Sequence, residues 1–203
     1  MYIAKYNRNE NREEQLDFIR KNSFGVLINE VNGRPWATHI PFTLNREGSK
    51  LTSHMSRGNQ QWRHFTSDKE VMIIFSGPHS YVSSSWYNHE NVPTWNYIAI
   101  HVYGKIKIIE GDELKASLKE LTNHYEADSI NPVSVEKLTP SYLEREIRGI
   151  VAFEIDITNI EAAYKLSQNR EKEDYENIIS ELNKKEDVGA KAIAHEMKKR
   201  CPY

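Results

Sequence analysis

The sequence predicts a mainly β domain with flanking helices, of the α+β class, finished by a C-terminal helical hairpin. Three observations carry this. Between residues 23 and 109, short runs rich in Val, Ile, Tyr and Thr follow one another closely, punctuated by Asn32-Gly33, Glu47-Gly48, Arg57-Gly58 and Gly77-Pro78. Such dipeptides mark turns between strands. On either side of that block, apolar residues recur at helical spacing. Finally, a chain of 203 residues with 38% hydrophobic content is long enough for a substantial core and too long for a disulfide-stapled miniature.

Residues 9–22 place Leu16, Phe18 and Ile19 on one side of a charged helix, with Asn9 or Asn11 as the N-cap. Strands are expected at 23–31, 35–44, 51–56, 71–76, 80–84 and 95–109, spaced for a small antiparallel barrel or sandwich. Leu114, Leu118 and Leu121 give residues 112–127 a helical face behind Asp112 as a cap. Residues 149–157 alternate again and form a returning strand. From Asn169 onward, Ile178, Ile179 and Leu182, then Ala192, Ile193 and Met197, mark two helices divided near Asp187 to Gly189. The expected organisation is a domain over 1–168 and a helical extension over 169–203 packed on it.

Composition excludes several functions. With 27 basic and 29 acidic side chains, the net charge is -2, so no global cationic excess draws the chain to nucleic acid or anionic lipid. The single cysteine, Cys201, rules out a disulfide framework and a Cys-rich zinc site, and fits a reducing, cytoplasmic setting. No apolar run reaches the roughly 18 to 20 residues of a membrane span, and the first ten residues hold no apolar signal core. Phosphate-binding glycine motifs, the H-E-x-x-H zinc motif and the G-x-S-x-G elbow are all missing. No metal site and no catalytic acid, base or nucleophile is assigned. All four tryptophans and six of the eight histidines fall between positions 36 and 101, which is where a site is expected.

Within that window, residues 51–65 run from a strand through Ser56, Arg57, Asn59 and Gln60 into a short amphipathic helix. A guanidinium beside hydroxyl and amide donors near a helix start has the chemistry of a phosphate site. In the strand before it, alternation puts Ala37, His39 and Pro41 on one face and Thr38, Ile40 and Phe42 on the other, so that one face suits a flat ring. The same residues also suit a surface arginine in a turn and aromatics filling a barrel. Spacing leaves both readings open.

Several blocks in order resemble one family: Asn22-Ser23-Phe24-Gly25, Arg34 through Phe42, His54-Met55 through Arg57, Asn59, Gln61 and Trp62, Gly77-Pro78-His79, Ser85-Trp86-Tyr87, Val92 through Tyr97, His101 through Gly104, and Lys165 through Asn169. The chain is similar across nearly its whole length to the PaiB-type negative transcriptional regulators, which have the FMN-binding split-barrel fold related to pyridoxamine phosphate oxidase. It departs from the family pattern at Ala4, Ser56, Gly58, Gln60 and Ser84.

The resemblance implies a homodimer holding FMN at the subunit interface. Thr38, His39 and Ile40 would flank the flavin ring, and His54 and Met55 the ribityl chain. Ser56, Arg57, Asn59 and Gln60 would reach the phosphate, with Trp95 and Asn96 approaching from the other subunit. The implied function is negative regulation of degradative-enzyme and sporulation genes. The alternatives are an FMN-dependent oxidoreductase and a flavin or haem-type ligand-binding protein without turnover. A DNA or regulatory-protein partner is implied as well. Direct DNA binding is not expected, because the tail's lysines alternate with Glu173, Asp174, Glu176, Glu181, Glu186, Asp187 and Glu196.

Overall fold

The computed structural model describes residues 1–203. Its helices are α1 (Arg12–Lys21), α2 (Gly111–Glu126), α3 (Pro140–Arg148), α4 (Lys172–Lys184) and α5 (Val188–Lys199). Its strands are β1 (Phe24–Val31), β2 (Arg34–Pro41), β3 (Thr43–Leu44), β4 (Lys50–Ser56), β5 (Glu70–Val82), β6 (Thr94–Ile109) and β7 (Ile150–Lys165). One seven-stranded sheet has the order β2-β1-β5-β6-β7-β4-β3. β1 pairs antiparallel with β2 and β5, and β4 with β3 and β7. The α+β class and the C-terminal pair of helices are those the sequence predicts.

Local chemistry explains the elements. Asn11 caps α1, its Oδ1 accepting from Glu14 N at 3.2 Å. Asn32 and Gly33 both have positive φ, 51° and 77°, as a two-residue hairpin between β1 and β2 requires, so Val31 pairs with Arg34. Residues 35–44, expected as one strand, divide at Phe42, where the chain leaves β1 for β4. The Phe42 ring is buried and its N donates to Ser23 O at 2.8 Å. Gly77-Pro78, expected as a turn, lies inside β5. The buried positions are Val71, Ile73 and Phe75 before it and Ser80 and Val82 after it. That change of parity amounts to one extra residue, the kind of irregularity at which a strand tolerates glycine and proline.

β7 extends beyond the expected 149–157, since the polar stretch from Asp156 to Asn159 stays in the sheet. α3 was not among the expected elements, although Pro140 in its first turn is a helix-start signal. Asp112, expected as the cap of α2, sits inside its first turn, and Glu110 occupies the N-cap position. Asp187 does cap α5, its Oδ1 accepting from Ala190 N at 2.6 Å.

Residues 1–15, 76–101 and 161–203 form one compact unit, and residues 16–75 and 102–160 a second. In the first, Tyr175, Ile178, Leu182, Ile193 and Met197 bury the facing sides of α4 and α5, together with Val82, Ile98, Ile100 and Leu166. The buried Asp174 carboxylate accepts from Asn88 N at 3.1 Å and holds residues 87–91 to the start of α4. In the second, Leu27, Leu51, Ile73, Phe75, Phe153 and Ile155 are almost fully enclosed, with edge-to-face pairs Phe42 to Phe75 and Phe65 to Phe153. A smaller cluster of Ile109, Leu114 and Ala152, packed by Leu118 and Ile147, attaches α2 and α3 to the sheet.

Candidate functional site

β2 and the segment after β4 meet through the side chain of Gln61, which is fully buried. Its Nε2 donates to Leu27 O at 3.2 Å, Asn29 Oδ1 at 2.8 Å and Trp36 O at 3.3 Å. Its Oε1 accepts from Thr38 Oγ1 at 2.5 Å. Asn59 completes the knot: its Nδ2 donates to Thr38 Oγ1 at 2.8 Å, and its Oδ1 accepts from Gln61 N at 3.0 Å. Thr38 and Asn59, expected at the ring and at the phosphate respectively, are thus hydrogen-bonded to each other, and the Thr38 proton is committed to Gln61. Only a hydroxyl lone pair remains for a ligand. Gln61 itself was not singled out as a site residue, although it stands in the Asn59-Gln60-Gln61-Trp62 block.

The expected alternation along β2 holds. Thr38 is half-buried and Ile40 buried, whereas His39 is exposed on the other face, stacked on Phe24 with ring centres 6.4 Å apart. On β4, Met55 is buried with Leu51 and Ser53, and His54 turns to the opposite face. Ile40 and Met55 therefore contribute core side chains beneath the site, and His39 and His54 are the imidazoles of these two strands.

Past β4 the exposed donors gather. Arg57 Nε donates to Arg148 O at 2.9 Å and Nη2 to Ile150 O at 2.8 Å, and Arg57 N donates to Gly149 O at 2.8 Å. The guanidinium also lies 5.9 Å from the Trp62 ring centre. Ser56 Oγ accepts from Gly58 N at 3.2 Å, which leaves its proton free, and Gln60 Nε2 donates to Gly58 O at 3.2 Å. A guanidinium has five N–H groups, so the pair of bonds from Nε and Nη2 leaves the opposite edge of Arg57 available. Ser56, Arg57 and Gln60 together retain enough donors to hold a phosphate.

His54 has an Nδ1 that is buried with no hydrogen-bond partner. Burial depresses its pKa below the ordinary 6.5, because an imidazolium there would lose hydration. His101 is depressed in the same direction, by burial first and then by the nearby N-terminal ammonium. Both histidines are neutral in the folded chain at pH values where unfolded histidine already binds a proton. Stability is therefore unaffected above about pH 6.5 and falls as pH drops below that value toward the folded pKa. Urea midpoints should be level from pH 8 to 7 and decline from pH 6.5 to 5.5. His54→Gln should make the decline shallower, and an unchanged slope would contradict the assignment.

Trp95 and Asn96 belong to the other unit. Trp95 is 53% exposed, with Tyr81 edge-on and His79 tilted, each with its ring centre 6.0 Å away. Asn96 is fully buried: its Oδ1 accepts from Ser167 Oγ at 3.0 Å and its Nδ2 meets Met197 Sδ at 3.5 Å. Its amide fastens β6 to the start of the tail and to α5, and it offers nothing at the surface.

Residues 1–159 match the family model described as "Putative FMN-binding domain". The chain is 47% identical over 199 residues to the protease synthase and sporulation protein PAI 2 of Bacillus subtilis, covering 97% of this chain and 96% of that protein. The chain belongs to the PaiB-type family of FMN-binding-domain proteins. Another relative is an uncharacterized protein of Emericella nidulans, 29% identical with 90% of each chain covered.

Among solved structures, the PaiB-type chain is similar to the FAD and heme binding protein of Mycobacterium smegmatis, at TM-score 0.61 and 18% identity, covering 78% of this chain and 73% of that one. It is also similar to the flavocytochrome Anf3 of Azotobacter vinelandii, at TM-score 0.59 and 17% identity, covering 86% and 78%. At these identities the likeness is one of fold, and it is the flavoprotein split-barrel fold expected for the PaiB-type family.

Proposed function

We propose that the chain is a cytoplasmic, FMN-binding negative regulator of degradative-enzyme and sporulation genes that works as a homodimer. The observation that carries this reading is the near full-length 47% identity to the Bacillus subtilis protein named for protease synthesis and sporulation. Local support for the flavin comes from the Ser56 to Gln60 segment, where Ser56, one edge of Arg57 and Gln60 keep free donors, and from the orphaned Nδ1 of His54 beside it on β4. His39, exposed on its face of β2, would lie along the ring, and Thr38 would offer its remaining lone pair from the strand's other face, with Trp95 supplied by the second subunit. When bound, FMN supplies redox chemistry of its own. The chain's residues bind and orient it.

Arg57→Ala removes a charge-assisted contact worth about 1.5 to 3 kcal/mol, so FMN affinity should fall roughly ten- to hundredfold. A fluorescence titration reads this, and unchanged affinity would remove Arg57 from the site.

The dimer reading is supported by the exposed cluster of Tyr81, Trp95 and His79, because aromatic side chains are enriched in interface cores. Regulation through a partner or a small-molecule signal fits the tail, where Lys172 pairs with Glu176, Lys184 with Glu181, and Arg200 with Glu196 and Glu14. Cations already paired release few phosphate counterions. Sedimentation tests both points. The protein alone should run at twice the 23.7 kDa chain mass, and promoter DNA at physiological salt should not bind with a Kd near or below roughly 10⁻⁸ M. A monomer, or tight specific DNA binding, would overturn the corresponding part.

A further inference from the structure

We propose that Arg57 is a two-edged bridge, one edge of its guanidinium holding the last carbonyl of α3 and the first of β7 while the opposite edge takes the flavin phosphate, so that phosphate occupancy tightens the end of α3. This rests on the reading of Ser56 to Gln60 as the phosphate site. The first edge is plain in the structure: Nε and Nη2 donate to Arg148 O and Ile150 O, and the Arg57 backbone N to Gly149 O, at 2.8 to 2.9 Å. Arg148 O belongs to the last turn of α3, where helix carbonyls lack intrahelical partners and the macrodipole is negative, and Gly149 O and Ile150 O follow it at the junction with β7. A cation there satisfies groups that would otherwise depend on water.

α3 has little else to hold it. None of its residues is fully buried, and its contribution to the nearby apolar cluster is the half-buried Ile147 against Ile109, Leu114 and Ala152. A fixed Arg57 thus orders α3, and an ordered α3 fixes Arg57. A phosphate arriving at the second edge finds the guanidinium already immobilised, which reduces the entropy lost on binding. By reciprocity, the bound phosphate must stabilise the conformation in which the first edge is engaged.

The experiment is hydrogen exchange, read by mass spectrometry, on the full chain alone, with FMN and with riboflavin, which carries the same ring without the phosphate. Flavin fluorescence in the same samples reports binding. With FMN bound, amides from Leu143 to Ile150 should exchange roughly fivefold more slowly or better, the lower end of ordinary coupling between sites. Riboflavin should leave them unchanged. Arg57→Lys, whose single ammonium cannot serve two opposed edges at once, should retain part of the FMN affinity and lose the slowing.

FMN that binds without slowing this segment overturns the bridge while leaving the flavin reading intact. Equal slowing by riboflavin, or slowing that persists in Arg57→Lys, overturns it too. Absence of FMN binding by fluorescence overturns the flavin reading and the bridge together. Ile147→Ala supplies the reciprocal test. It lies in the apolar cluster rather than among the proposed flavin contacts, and if its melting transition remains cooperative, FMN affinity should still fall severalfold. Unchanged affinity with a loosened α3 would count against the coupling.

Discussion

Gln61→Ala should destabilise the protein by about 3 kcal/mol, since burying polar groups without partners costs about 1 to 3 kcal/mol for each one left unsatisfied. For a chain of this size that corresponds to a melting point lower by about 6 to 12 °C. The substitution takes the donor from Asn29 Oδ1 and the acceptor from the Thr38 hydroxyl, and it removes a second donor from the carbonyls of Leu27 and Trp36, which lie opposite Thr38 and Asn29 in the pairing of β1 with β2. It also frees Thr38 and Asn59 from their common anchor, so FMN affinity should decline even though Gln61 is fully buried. Gln61→Glu separates polarity from volume. It keeps the shape but sets a carboxylate oxygen against three acceptor oxygens, so near neutral pH it should be worse than alanine. Part of that excess should be recovered as pH falls and the carboxyl gains a proton to donate. Thermal melts at pH 7.5 and 5.5 decide the matter: if Gln61→Glu is as stable as the parent at both, the amide is not the organiser of this corner.

The Gln61 knot also illustrates where the sequence stopped being informative. Alternation in β2 and β4 and the Asn32-Gly33 hairpin depend on neighbours in the chain, and these were legible. Gln61 takes its meaning from the carbonyls of Leu27 and Trp36, which folding brings to it from two earlier strands. In isolation it looks like one more polar residue after a turn. Arg57 presents the same problem more sharply: its cation, hydroxyl and amide neighbours mark a phosphate loop, but the carbonyl that claims its Nε lies 91 residues further on. The resemblance implied that Asn96 approaches a flavin from the other subunit, whereas the return of α5 encloses its amide against Met197. Gly77-Pro78 shows the converse, a strong local signal that the sheet absorbs as a change of parity within β5. The family resemblance supplied the flavin and the regulatory role. The residue physics alone had reached no further than a cationic loop beside a flat strand face.

Gly104→Ala should be among the most damaging single-methyl changes in the molecule. Gly104 lies within β6 at a point where a Cβ would stand 2.5 Å from Asp156 O and 2.5 Å from Ile155 Cγ2 on β7. Contacts that short must be relieved by movement, and one of the two obstacles is backbone, which cannot rotate away as a flexible side chain could. The pairing of β7 with β4 on its other side runs from Asp156 to Ile150, so moving Asp156 also strains the register with Lys50. Overpacking of this kind typically costs 1 to 3 kcal/mol, and with backbone obstruction about 3 kcal/mol is expected, again a fall of about 6 to 12 °C in melting temperature. Ile155→Ala in the same chain removes the methyl obstacle and leaves the carbonyl. Judged against Ile155→Ala alone, the double variant should show that Gly104→Ala still costs most of its original penalty. Full relief would place the strain in the side chain and refute the close backbone approach, and a Gly104→Ala protein that melts with the parent would refute it outright.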